Sequence, residues 1–430
     1  MTSAASQRSF EIGVDIGGTF TDIVCREAGG AMHVIEVPTT RGDPSEAVIK
    51  SIAEIRDRWG IGAHEVTRFT HGTTVATNAV LERKGARIGL ITTAGFRDVL
   101  EIARQWRTQV YRVVLQPEAP VFLAPRRYRK EVPERLDATG AVLTPLDEEA
   151  VVRAADELVK EGVEAIAISF LFSFKNPAHE RQAADLIRAR HPGLMLSLSH
   201  EVDPAFREYE RTVVTAFDAY VKPRVDSYLA RLEGGLAQAG ISAPLQVMQS
   251  RGGLASARVA RDRPVRLFLS GPAAGVIGGQ IVGASAATDN LITIDIGGTS
   301  ADIALISRRK PMLRSEGVIA GHAVRVAMVD VTTIGAGGGS IAHLDAAGGL
   351  RVGPHSAGSE PGPACYGRGG QEATVTDASV VLGYLDPDFF AGGRLKLVPD
   401  KAAETIERRV AKPLDMTTAQ AALGDRKSVV

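Results

Sequence analysis

Asp15-Ile16-Gly17-Gly18-Thr19 returns later in the chain as Asp295-Ile296-Gly297-Gly298-Thr299. Glycines let a tight turn take positive φ and let its N–H groups come close to a ligand. Consecutive N–H groups of that kind form a nest for phosphate oxygens. Thr19 and Thr299 add a hydroxyl beside each pair of glycines. Asp15 and Asp295 stand where a carboxylate suits an oxygen-loving cation such as Mg²⁺ or Mn²⁺. A carboxylate there can also orient a water on a γ-phosphate. One copy alone reads equally well as a capped hairpin, since Gly and Asp are ordinary turn residues. Two matched copies point to facing phosphate grips with a nucleotide between them.

Each copy follows an apolar run, Ile12 and Val14 or Leu291, Ile292 and Ile294, and leads into another. That is the pattern of strand, turn, strand. Around the pair, strands alternate with helices, the signature of an α/β protein. Ser45 to Trp59 reads as an amphipathic helix and Val66 to Thr70 as a strand, followed by a helix over Thr74 to Arg83. Further strands are expected at Arg87–Thr92, Val163–Phe170, Met195–Ser199 and Leu245–Gln249. Helices are expected at Leu146–Gly162, Asn176–Arg190, Glu201–Lys222 and Ala273–Gly283. Arg104 to Pro133, with four prolines, reads as irregular.

The segment His71-Gly72-Thr73-Thr74 joins a strand to a helix, so its N–H groups favour an anion. Thr73 and Thr74 either contact substrate or phosphate, or cap the helix. His71 is either a general acid/base near neutral pH or a histidine satisfied within the fold. Arg97 suits a substrate carboxylate, or else belongs to a solvated charged face. Cys365 follows His355 in a Gly/Pro-rich loop, and zinc there would need ligands from elsewhere, such as Asp330, His322 or His71. A packed loop thiol is the alternative.

Hydrophobic residues make up 44% and charged residues 23% of the 430, with net charge zero. These values fit a globular protein, without the electrostatic footprint of a nucleic-acid binder. No apolar run reaches membrane-spanning length. The two cysteines lie far apart, which points to a reducing, cytoplasmic setting.

Taken with Thr70-His71-Gly72-Thr73-Thr74, Ser270-Gly271-Pro272-Ala273-Ala274-Gly275 and Pro361-Gly362-Pro363-Ala364-Cys365-Tyr366-Gly367, the hairpins give the chain a family likeness. It resembles the hydantoinase A / 5-oxoprolinase family of the actin-like ATPase group, from about Phe10 to about Leu423. The resemblance implies a two-lobed α/β fold with RNase-H-like mixed sheets flanked by helices. It implies an N-terminal lobe over 8–200 and a second, incomplete lobe over 201–423. Residues 424–430 do not resemble the family and read as a non-native tail. Gly337, Gly338 and Gly339 look similar to a nucleotide-contacting loop, beside Gly17, Gly18, Thr19, Gly297, Gly298 and Thr299. The implied reaction is ATP-dependent hydrolysis of a cyclic amide such as 5-oxoproline or a hydantoin, with Mg²⁺ or Mn²⁺. The implied alternatives are ketone carboxylation, a small-molecule kinase and an ATP switch. A hydantoinase B-type partner subunit and an oligomeric assembly are expected with it.

Overall fold

The computed structural model describes residues 8–16, 20–40, 44–105, 111, 119–391, 393 and 395–427. The first hairpin pairs Phe10–Ile16 with Phe20–Glu27, with Asp15 opposite Asp22. Its turn, Gly17-Gly18-Thr19, lies outside the described residues. Met32–Pro38 extends the hairpin on one side. On the other side Val66–Gly72 and then Leu245–Met248 pair in parallel, and Leu254–Ser256 closes a six-stranded sheet. The alternation of Ile12, Val14 and Ile16 puts all three in the core, as a strand's period of two requires.

A second sheet of four parallel strands follows the order Met195–Leu198, Ala165–Ser169, Ile88–Thr93, Arg129–Val132. Parallel sheets are covered on both faces, and Ala165–Ser169 shows how. Ala165 and Ala167 pack toward the long helix Glu208–Gln238, while Ile166 and Ile168 pack into a second core with Leu158 and Ile187. The long helix runs between both sheets, which is why residues 211–221 are buried on every side.

Three expectations change here. The helix foreseen over Glu201–Lys222 is two helices, Ser199–Val202 and Glu208–Gln238. Asp203-Pro204 separates them, because a residue before proline is forced out of helical geometry. The stretch Arg104–Pro133 contributes a sheet strand at Arg129–Val132, and residues 106–110 and 112–118 of it are outside the described residues. The chain also returns to the first lobe's sheet at Leu245–Ser256, past the division expected at 200/201.

The second hairpin pairs Leu291–Ile296 with Ala301–Ser307, with Asp295 opposite Asp302, the same register as in the first. Val331–Ile334 extends it. Between them an arm of short paired strands reaches out, and its Ile319, Val324, Val326 and Met328 are buried in the first lobe's core. The hairpin Ser340–Leu344/Leu350–Ser356 and helices Val375–Val381, Pro399–Ile406 and Thr418–Lys427 complete the second lobe. That last helix continues past the expected end at Leu423, with Asp425 buried. Among the described residues no helix is long and apolar enough to cross a membrane.

Candidate active site

Asp15 ends a strand whose parallel neighbour ends at Gly72, directly across the register. A Cβ on Gly72 would stand 2.5 Å from the Asp15 Oδ1. Glycine at 72 is therefore what leaves room for this carboxylate. The following threonines are used locally. Ser270 Oγ receives the Thr73 N–H at 3.4 Å and donates to the Thr73 carbonyl at 3.0 Å. Thr74 Oγ1 donates to the Ile16 carbonyl at 3.3 Å, at the end of the first hairpin strand. Both threonines thus tie the hairpin end to its neighbours.

Helix Ser270–Ser285 brings the two hairpins together. Ideal Cβ positions on Gly271 lie 3.5 Å from Asp15 Oδ1, and on Gly275 3.7 Å from Asp295 Oδ2. Cβ atoms on Gly279 and Gly283 would meet Thr293 at 2.4 Å and Leu291 at 2.2 Å. Positions four apart share one helix face. These glycines let the helix lie flat on strand Leu291–Ile296 with its N-terminus against Asp15. An N-terminus has unpaired N–H groups and favours negative charge. The small-residue stretch is thus a helix with a glycine every fourth position, a spacing visible in the sequence that identifies the contact face.

The carboxylates feel one another across the gap. Asp15 is raised above the usual carboxylate range by burial, then by the charges of Asp22 and Asp295. Asp22 is raised by burial and by Asp295. Groups that repel in this way are relieved by a divalent cation, so the donor set fits Mg²⁺ or Mn²⁺ held largely through its waters. Asp22, seven residues into the first motif, belongs to this cluster although the sequence reading gave it no role; its counterpart Asp302 stands opposite Asp295 in the second hairpin. Asp302 is anchored by Thr333 Oγ1, which donates to its Oδ1 at 2.5 Å.

The glycine-rich loop over 335–340 is placed differently from expectation. Gly338 N–H donates to the Gly297 carbonyl at 3.0 Å and Gly339 N–H to the Gly298 carbonyl at 2.6 Å. A Cβ on Gly337 would stand 2.6 Å from the Ser300 nitrogen. These glycines buttress the second hairpin's turn, and the N–H groups of Gly338 and Gly339 are spent on it. Thr376 holds the loop from behind through the Gly338 carbonyl at 2.8 Å.

Other candidates fall away from the chemistry. His71 is fully buried, and its Nε2 sits 2.7 Å from the Tyr228 hydroxyl. Burial pushes its pKa down to about 4, against the Val14 backbone. Burial of this kind favours the structural one of the two readings open to it, a neutral histidine within the fold. Arg97 lies on the parallel-sheet subdomain, 3.8 Å from both Asp98 and Glu131, in a charged cluster. The zinc expectation is also overturned. Cys365 is buried with its N–H given to Asp377 at 2.7 Å, and burial with the Asp377 charge pushes its thiol up. Among the described residues no group of three or more His, Cys, Asp or Glu side chains could hold a metal ion. The Asp15–Asp295 pair does not contradict this, because Mg²⁺ takes few direct protein ligands.

Family models match both halves of the chain. The description "Hydantoinase/oxoprolinase N-terminal region" covers residues 11–191 and "Hydantoinase/oxoprolinase" covers residues 211–426. The caprolactamase subunit alpha of Pseudomonas jessenii is 38% identical over 97% of this chain and 61% of its own length. The acetophenone carboxylase gamma subunit of Aromatoleum aromaticum is 38% identical over 98% of this chain and 60% of its own. The crystal structure of the P. jessenii ATP-dependent caprolactamase superimposes with a TM-score of 0.84, at 38% identity, over 97% of this chain and 61% of that one. The chain therefore spans about three-fifths of the length of these relatives. The mixed sheets, flanked by helices in two lobes, are those of the actin-like ATPases.

Proposed function

Because this chain belongs to the hydantoinase/oxoprolinase family, we propose that it is the ATP-using part of an enzyme that hydrolyses a cyclic amide. The observation that carries the proposal is the meeting of Asp15 and Asp295 along one face of helix Ser270–Ser285, at the ends of two hairpins in the same register. A relative bearing the name caprolactamase supports the cyclic amide as substrate.

A lactam resists water because resonance stabilises its C–N bond. Transfer of the γ-phosphoryl group to the amide oxygen, with ADP leaving, turns that oxygen into part of a leaving group. Water then adds to the ring carbon, the C–N bond opens as the nitrogen takes up a proton, and the acyl phosphate that remains is hydrolysed by a second water to carboxylate and free phosphate. There is little covalent work for protein side chains in such a transfer, and positioning with charge neutralisation dominates. Asp15 and Asp295 would hold the Mg²⁺ or Mn²⁺ ion, which when bound offsets the charge on the phosphates. The Gly17–Thr19 and Gly297–Thr299 turns would grip phosphate oxygens. The N-terminus of helix Ser270–Ser285 adds N–H donors beside Asp15. In this reading Gly337–Gly339 act on the nucleotide through the turn they brace.

A hydantoinase B-type partner subunit, a cytoplasmic setting and an oligomeric assembly belong to the same proposal. Phosphate release from ATP is the test, with 5-oxoproline, a hydantoin, or a ketone plus bicarbonate added in turn, with and without a partner subunit. The expected result is lactam-dependent release with a ring-opened product. Turnover requiring a ketone and bicarbonate would make the chain a carboxylase subunit instead, in line with the acetophenone carboxylase relative. A stable phosphorylated product would make it a kinase.

A further inference from the structure

Strands Ile88–Thr93 and Ala165–Ser169 lie side by side in the middle of the four-stranded parallel sheet. The chain goes from the first to Arg129–Val132 at one edge, and from the second to Met195–Leu198 at the other. Where neighbouring strands send their connections opposite ways, the loops part at the carboxyl ends of the strands and leave a crevice that suits a ligand. A pocket of 240 Å³ opens in this crevice. Leu171, Phe172 and Phe174 reach it from the segment after the second strand, and Arg104 from the segment after the first. The start of the long helix Glu208–Gln238 closes it with Arg207, Glu208 and Arg211. No residue assigned above to nucleotide or metal lines it.

Arg211 is 1% exposed, the most buried residue of the lining. Its Nε donates to Ser199 Oγ at 3.1 Å, one Nη to the Ala205 carbonyl at 3.1 Å and the other to the Phe170 carbonyl at 2.8 Å. A guanidinium carries five N–H donors, so one is left on each Nη. All three acceptors are neutral, and among the described residues no carboxylate lies within ion-pair distance of Arg211. Burial holds the guanidinium below its ordinary range, against the more distant charges of Glu180 and Asp203 and together with that of Arg325. A buried charge without a contacting counter-ion is costly. The rest of the lining does not supply one. Arg104 is already paired with Glu210 at 2.5 Å, which leaves Arg207 and Arg211 against Glu208, one positive charge in excess. Phe172 and Arg207 also hold left-handed backbone, at φ 56° and 76°. That conformation is unfavourable for bulky side chains, and such residues gather at ligand sites.

We propose that this pocket binds a small organic monocarboxylate with an apolar body. The two remaining Nη–H groups of Arg211 receive the two carboxylate oxygens. Phe172, Phe174 and Phe206 flank the apolar body. Glu208 disfavours a second negative charge on the ligand. The proposal stands on the pocket and does not depend on the ATP-using role.

Calorimetric titration of the full chain with benzoate, benzamide and acetate tests it. Benzoate offers charge and ring, benzamide the ring alone and acetate the charge alone. Benzoate should bind about tenfold tighter than either of the others, or better. A saturating non-hydrolysable ATP analogue should leave the benzoate affinity unchanged. Phe206→Ala, at a position 62% exposed, should weaken benzoate severalfold without shifting urea unfolding. Arg211→Lys keeps a positive charge but loses the paired N–H groups, and should weaken benzoate by about tenfold. Benzoate no tighter than benzamide or acetate, an affinity untouched by Phe206→Ala, or displacement of benzoate by the ATP analogue would overturn the proposal. Full affinity in a folded Arg211→Lys would do so too. Should that variant not fold, the benzamide comparison and Phe206→Ala decide alone.

Discussion

Val14 and Ile294 hold the same place in their hairpins, one residue before the aspartate, yet Val14 is 4% exposed and Ile294 61%. The first hairpin strand has a pairing neighbour on each side; Leu291–Ile296 pairs on one side alone among the described residues. Register and the Asp–Asp pairing are nevertheless the same in both. Local sequence is therefore enough to set the pairing of each hairpin's strands, whereas burial of those strands depends on distant partners. The register of the two hairpins can be compared like for like, and the strands that form them cannot.

The largest contrast should come from the glycines that touch each carboxylate. Gly72→Ala puts a Cβ 2.5 Å from Asp15 Oδ1, whereas Gly275→Ala leaves 3.7 Å to Asp295 Oδ2. A displaced carboxylate can cost on the order of a hundredfold in rate. Steady-state ATP turnover should fall by about that factor for Gly72→Ala and by no more than about twofold for Gly275→Ala, by the same geometric argument. Equal effects would mean that Asp15 is not held as described.

Stability should separate the strands. Val14→Asp buries a charge in the six-stranded sheet and should cost about 3 kcal/mol or more, or prevent folding. Ile294→Asp replaces an exposed side chain and should stay within about 0.5 kcal/mol. Urea unfolding of both variants checks this, and a large loss for Ile294→Asp would show that its face is covered in solution.

A smaller effect should appear with pH, and in the first lobe only. His71 titrates at about 4 in the fold, below the histidine value of 6.5. Between those values the unfolded chain binds a proton that the folded chain does not, so stability is full above pH 6.5 and is lost as pH falls toward 4. The slope of stability against pH in that window should be shallower in His71→Asn. An unchanged slope would mean that His71 is not buried neutral. A change in the pH dependence of turnover near neutrality, with stability unaffected, would restore the acid/base role.

Much of this was legible in the residues. The Asp-Ile-Gly-Gly-Thr repeat gives both hairpins, and the α/β alternation gives most of the elements around them. The sequence misleads where a residue type serves two physical ends. Glycines at 337–339 suit a phosphate nest or a close backbone contact, and only the 2.6 Å and 3.0 Å bonds to the Gly298 and Gly297 carbonyls decide for the contact. His71 beside glycine and threonine suits a catalyst, but its partner is Tyr228, far along the chain on the long helix. That Gly72 makes room for Asp15 was not legible, because it depends on parallel pairing, which no local pattern encodes.

The central claim is that Asp15 and Asp295 share one cation across the lobes. A double-mutant cycle on Mn²⁺ affinity in the presence of a non-hydrolysable ATP analogue, with Asp15→Asn, Asp295→Asn and both, tests it most directly. Independent sites add to within about 0.3–0.5 kcal/mol. Each single substitution should weaken Mn²⁺ binding, and the pair should cost less than the sum by more than that margin. Strict additivity, or affinity unchanged by either substitution, would contradict the shared site.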